Sequence, residues 1–320
     1  MSIRPSGIVY IDHAATTPVA SEVLDAMQPF FMGQFGNASS IYTLGQASRR
    51  AIDDARGQCA KVLGARAGEI VFTSGGTESD NAALMGTALA LRERGNHIVT
   101  TAIEHHAVLH AAELLESLGF DVSYVRPGHD GIVTVASIEA AMTPLTTVVS
   151  VMLANNETGA IQPVSEIARA VKMRAASESR VIAVHTDAVQ AAGFLSLNVD
   201  ELGVDLLTLS AHKFNGPKGV GILYIRRNTP FKPTQVGGAQ ERDRRAGTEN
   251  TPSIVGMGLA LENAERRREQ TVASCLALST RLIAGITERI DRTTLNGDPE
   301  LRLPNNVNFT FAGVEAEPLL

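Results

Sequence analysis

The chain has 320 residues, with 28 Lys+Arg against 34 Asp+Glu and a formal net charge of −6. At roughly 150 residues per domain this is about two domains or one large one. The acidic balance argues against nucleic acid as a main partner, and the lack of Trp, with aromatics at 4%, argues against stacking platforms. The opening MSIRPSGIVYIDHAATTP has no continuous apolar stretch of the signal-peptide kind. No apolar run reaches the ~18 residues of a membrane span. Two cysteines, Cys59 and Cys275, exclude a disulfide framework and fit a reducing, cytoplasmic compartment.

In chain order, short β-branched runs recur at 69–73, 97–103, 121–126, 147–154, 180–188, 204–211 and 220–227. Helix-like stretches lie between several of them, at 78–95, 108–119 and 165–179, with Gly95 and Gly119 placed as C′ glycines. Strands apolar on both faces and spaced by helices predict an α/β fold, a mostly parallel sheet covered on both sides. Ligands of such sheets bind beyond the carboxyl ends of the strands. From about Ser253 to Ile290 the pattern is long and helical, with Val272, Leu276, Leu282, Ile286 and Ile290 near helical spacing. NNVNFTF then reads as a strand, and EAEPLL reads as a helix start in a smaller second domain that is incomplete at Leu320.

The chemistry-bearing residues cluster at strand ends. EIVFT runs into SGGTESDN, where Gly75 and Gly76 allow a tight turn and Thr77 with Asp80 fits a capping box. A glycine turn entering a helix presents free N–H groups, a site for a phosphate. Asp187 ends an apolar strand, as a salt-bridging residue or as a carboxylate for a protonated ring nitrogen. Ser210, His212 and Lys213 end the next, where desolvation can lower a lysine's pKa and make its amine usable for a Schiff base. Lys218 reads as a surface lysine. His105 can stack on a flat ring; His106 and His110 have helical metal-ligand spacing but no convincing further ligands. Asn155, Asn156 and Glu157 follow another strand, and Arg242, Arg244 and Arg245 form either a solvated charge run or an anion site at an interface. A phosphate nest, a ring-nitrogen carboxylate, a flat His and a Schiff-base Lys together suit pyridoxal 5′-phosphate.

YIDHAATTP, FGNASS, EIVFTSGGTESDN, EHHAVL, NNETG, HTDAVQ, SAHKFNGPKGVG and RAGTENTPSIVG resemble the successive signatures of the cysteine desulfurases. These are pyridoxal-phosphate enzymes of the NifS/IscS type within the class V aminotransferases, and the likeness runs from about Val9 to Leu319. It implies the fold-type-I architecture: an arm over 1–15 associated with the small domain, a large cofactor-binding domain over 16–255, and the start of the small domain over 256–320. Catalytic roles fall to Lys213, the Schiff-base lysine, and to His105, stacked on the ring. Asp187 matches the partner of the pyridine nitrogen and Gln190 that of the phenolic oxygen. Gly76, Thr77, Ser210 and His212 match the phosphate site, Asn156 an amide near the cofactor and substrate carboxylate, and Thr248 a threonine reaching the neighbouring subunit's phosphate in a homodimer.

The implied reaction converts L-cysteine to L-alanine and leaves the sulfur as an enzyme persulfide. That sulfur feeds iron–sulfur cluster assembly or tRNA thiolation through an acceptor or scaffold protein. The family's nucleophilic cysteine and its substrate-carboxylate arginine fall beyond Leu320, so a chain ending there is expected not to transfer sulfur. Cys59 and Cys275 read as buried small hydrophobes, not as substitutes for that cysteine. Ala38 and Thr43 stand where relatives commonly carry proline and histidine. The alternatives are a non-catalytic homologue acting through partners, another class V enzyme, or a nucleotide-binding α/β domain.

Overall fold

The computed structural model describes residues 9–315; the expected EAEPLL helix start lies almost wholly outside them. Helices α1 (Ser21–Met27), α2 (Pro29–Met32) and α3 (Thr43–Leu63) precede β1 (Ile70–Thr73). Then follow α4 (Gly76–Leu91), β2 (His97–Thr101), α5 (His106–Ser117), β3 (Asp121–Val125), α6 (Val135–Ala141), β4 (Thr146–Ser150) and α7 (Val164–Ser177). Next come β5 (Ala183–Asp187), α8 (Val199–Leu202), β6 (Leu206–Ser210), β7 (Gly221–Ile225), α9 (Thr251–Arg266), α10 (Arg268–Arg289), β8 (Thr293–Leu295) and β9 (Phe309–Phe311).

All seven runs expected as strands form one sheet, ordered β1-β7-β6-β5-β4-β2-β3. β7 pairs antiparallel with both neighbours, and the remaining pairs are parallel. Successive residues feed opposite layers, as a period of two requires. Val149, Val184, Leu207 and Tyr224 join the core under α3, α7 and α9. Val148, Ala183, Leu206 and Leu223 join the core under α4 and α5. Burial on both faces is why these strands read as continuous apolar runs. α4 sits between sheet and α5, which explains its Ala82, Ala83 and Ala88, all buried.

Two local expectations fail. Gly119 has φ +86 after α5, as a C′ glycine should, but Gly95 does not adopt positive φ. Gly95 is needed for close approach instead: a Cβ there would lie 2.2 Å from the Leu145 carbonyl oxygen. The Thr77–Asp80 capping box does not form, because the helix begins two residues earlier, with Gly75 as N-cap at φ 153 and ψ −177. That region is essentially open only to glycine. The Glu78 carboxylate accepts from the Ser74 N–H at 2.7 Å in its place.

The long helical pattern resolves into α9 and α10. α9 spans position 256, and its Met257, Ala260 and Leu261 belong to the large core. No residue of α10 is buried, and Leu276, Leu278 and Leu282 are more than half exposed. β8 and β9 pair antiparallel beside it. Cys275 is therefore only partly covered, against the expectation of burial, whereas Cys59 in α3 is fully buried.

Candidate active site

Strand ends create the cavity. Asp187 terminates β5, Ser210 terminates β6, and a 3-10 turn over Ala211–Lys213 follows directly. A volume of about 500 Å³ opens there, a size that suits a small-molecule ligand. Gly76, Thr77, His105, Asn156, Asp187, Gln190, Ser210, His212 and Lys213 all border it. These residues come from five separate segments of sequence. Thr248 is not among them; it lines a second, smaller pocket with Phe30, Phe35 and Asn37.

The Lys213 amine donates to the carbonyl oxygens of Ala14 and Ala15, at 2.5 and 2.9 Å. Burial lowers its pKa, with Asp187 and Asp12 opposing. The Gln190 amide donates to the same Ala14 oxygen at 3.0 Å. The described part of the N-terminal arm thus covers one side of the cavity, and Asp12, Ala14 and Ala15 line it. The Thr17 N–H and hydroxyl both donate to the His212 carbonyl, at 2.8 and 2.9 Å, which fixes arm to turn. The sequence reading missed this arm's role because YIDHAATTP contains no residue type that announces it.

Asp187 is 6% exposed and accepts from the Val189 N–H at 2.8 Å. Burial pushes its carboxyl up to about 6, while Lys213 pulls the other way. It has no arginine or lysine in salt-bridge contact among the described residues. A cationic ring nitrogen would give it the partner that burial demands. The N-terminus of α4 also borders the cavity, with Gly76 and Thr77 beside Ser210. A Cβ added to Gly76 would meet Val189 Cγ2 at 3.1 Å and Ser210 Cβ at 3.5 Å, so the backbone lies close against the β6 end. Free helix N–H groups next to a hydroxyl suit a phosphate.

His105 is the N-cap of α5, its Nδ1 accepting from the Ala107 N–H at 3.1 Å. Burial and then Lys213 lower its pKa, which favours the neutral ring at the cavity edge. The same two causes, with Lys218, lower that of His212. His106 and His110 are exposed and stack on each other, centroids 5.1 Å apart. Arg245 pairs with Glu78 at 2.8 Å, while Arg242 and Arg244 donate to the Ala67 and Gly68 carbonyls. The arginine loop is thus tied to the chain's own acceptors beside the α4 start.

The residues present fit pyridoxal phosphate: an amine, an uncompensated buried carboxylate and a helix N-terminus share one cavity. Residues 9–320 match the family model described as aminotransferase class-V. The chain is 48% identical to cysteine desulfurase IscS of Dictyoglomus turgidum over 98% of its length and 78% of that protein. It is 50% identical to cysteine desulfurase IscS of Methanosarcina thermophila, over 98% and 76%. Among solved structures, a NifS-like protein superposes with TM-score 0.93 at 38% identity, covering 97% of this chain and 84% of that one. A structure of SspA in complex with cysteine gives 0.84 at 37%, over 95% and 84%. No observation favours the non-catalytic alternative. Fold, cavity and sequence agree in one assignment: this chain belongs to the class V aminotransferases, as a member of their cysteine desulfurase family.

Proposed function

We propose that the cavity binds pyridoxal 5′-phosphate and that the protein uses it to turn L-cysteine into L-alanine, delivering the sulfur to a thiol as a persulfide. The observation that carries this reading is that Lys213, Asp187 and the α4 N-terminus border one cavity of about 500 Å³. In it, Lys213 would hold the cofactor through its amine and Asp187 would pair with the ring nitrogen. His105 would pack against the ring and Gln190 would bond the phenolic oxygen. Gly76, Thr77, Ser210 and His212 would receive the phosphate, and Asn156 would serve the substrate carboxylate. When bound, the cofactor withdraws electrons from the substrate α-carbon, acidifying its proton and weakening the Cβ–S bond.

The chain's own groups do the rest. The lowered pKa of Lys213 favours the neutral amine, which can take the α-proton at Nζ once substrate displaces it. The arm over Asp12–Ala15 limits water at that amine. The transfer is balanced without an outside oxidant: a thiolate attacks the substrate sulfur, the Cβ–S bond breaks, and Cβ receives a proton. Neither Cys59 nor Cys275 lines the cavity, so the thiol acceptor comes from outside the described residues. The same reading carries a homodimer in which Thr248 reaches the neighbour's phosphate, a cytoplasmic location, and a sulfur-acceptor or iron–sulfur scaffold partner. It also keeps the small domain as a separate unit, with the division nearer Arg267, where α9 gives way to α10.

Borohydride reduction of the protein with pyridoxal phosphate, followed by peptide mass spectrometry, tests this. The label should appear on Lys213 and be absent from Lys213→Ala. Cofactor still fixed to the variant would refute the assignment.

A further inference from the structure

Two more buried groups near Asp187 are not used by the proposed chemistry. Asp80, on α4, is 1% exposed, and its Oδ1 has no hydrogen-bond partner. His185, two residues before Asp187 on β5, is fully buried. Its Nδ1 meets the Ser150 hydroxyl at 2.9 Å, and its Nε2 meets the Thr208 hydroxyl at 3.1 Å. The same Nε2 lies 3.6 Å from the bare Asp80 oxygen. Asp80 and Asp187 both line the cavity.

We propose that Asp80 is a neutral carboxylic acid, its proton directed at the His185 side, and that it acts as a positioning residue leaving Asp187 as the single buried negative charge at the cavity wall. Hydrogen bonding decides which of the two carboxyls ionises. Asp187 accepts a backbone N–H at 2.8 Å and feels the Lys213 amine. Asp80 has neither; the Thr208 hydroxyl beside it favours its ionised form but is also engaged with His185, and burial and Asp187 outweigh it. Burial first, and repulsion from Asp187 second, drive Asp80 toward its protonated form. Burial also keeps His185 neutral, its pKa down to about 3, so the 3.6 Å approach to Asp80 is not an ion pair. Two ionised carboxyls here would each lack a counter-ion in a low-dielectric wall.

Among the described residues, the other charged groups around Asp80 are few. Glu104, after β2, is buried; its Oε1 accepts from the Thr101 hydroxyl and the Met152 N–H, and burial pushes it up to about 8. Lys213, His105 and Asp12 also line the cavity. β1, β4 and β6 contain no titratable side chain, and Tyr224 of β7 belongs to the opposite layer. On α5, His106, His110, Glu113 and Glu116 are exposed, and on α4 itself Glu78 is paired with Arg245.

With Asp80 neutral, a cationic ring nitrogen meets one carboxylate and the charges match one to one. That consequence rests on the cofactor reading above; the proton on Asp80 does not. The test therefore uses the cofactor-free protein. Urea unfolding across pH 5–9 gives the proton difference between folded and unfolded states. A raised folded-state pKa means the folded protein binds the extra proton, so stability falls as pH rises through that pKa. Asp80→Asn should reduce this pH slope by about one proton, and its infrared spectrum at pH 7 should lose one protonated-carboxyl band. An unchanged slope with an unchanged spectrum overturns the proposal. Glu104→Gln keeps the test decisive if the Asn variant does not fold. It should retain the Asp80 band, and loss of all protonated-carboxyl signal in it would also overturn the proposal. Failure to take up pyridoxal phosphate would count against the proposed function and leave the proton assignment standing.

Discussion

Arg56→Ala should destabilise the protein by about 2 kcal/mol and loosen the loop of residues 236–250. Arg56 Nη1 and Nη2 donate to the two oxygens of Glu241 at 2.7 and 2.8 Å, with both side chains 3% exposed. Nη1 also donates to the Ile70 carbonyl at 2.8 Å, and the Phe72 N–H donates to Glu241 at 3.0 Å. The guanidinium sits 4.8 Å from the Phe72 ring centroid. Breaking such a buried pair costs about 3–5 kcal/mol, because the surviving charge is left without a counter-ion. Part of that is recoverable. Glu241, Arg242 and Asp243 have φ of +46, +57 and +60, a run of three left-handed residues. Each costs about 1 kcal/mol or more, so freeing Glu241 lets the turn relax and returns roughly 1–3 kcal/mol. The loop also carries the Arg245–Glu78 pair at the start of α4, so loosening reaches the site. Urea unfolding gives the global loss, and hydrogen exchange over 240–245 gives the local one. A loss below about 0.5 kcal/mol, or a loss near 5 kcal/mol with unchanged exchange, would refute the reasoning. Arg56→Met with Glu241→Met should recover stability relative to Arg56→Ala, since a buried pair replaced by apolar groups leaves no lone charge.

Three other outcomes are expected. Cofactor retention should weaken as pH falls through about 6, where Asp187 gains a proton, and Asp187→Asn should lower affinity about 10–100-fold and remove that acid limb; fluorescence titration reads both. Gly221→Ala should cost about 1–3 kcal/mol in urea unfolding and displace the Gly75 turn, since its Cβ would lie 2.6 Å from the Gly75 carbonyl carbon and 2.7 Å from the Leu209 oxygen. Cys59, fully buried with its thiol pushed up to about 12, should resist alkylation in the folded protein while the partly exposed Cys275 reacts; mass spectrometry of labelled peptides distinguishes them.

The seven strands and the site residues at their ends were legible because burial on both faces leaves an apolar run that stops where polar ligand-binding groups begin. Lys213, Asp187 and Gly76 each carry a residue-specific chemistry, so type and position in the pattern were enough to select them. Other features had no such mark. Asp80 reads locally as a capping carboxylate, and only the packing of α4 against the sheet turns it inward, away from water. Gly95 reads as a helix stop, and only the Leu145 backbone crossing beside it reveals a steric requirement. The arm over Asp12–Ala15 and the Arg56–Glu241 pair join residues separated by more than 180 positions. A sequence encodes local conformation and burial directly; which distant groups then share one dry volume, and so which charges must pair or neutralise, is settled by tertiary contacts alone.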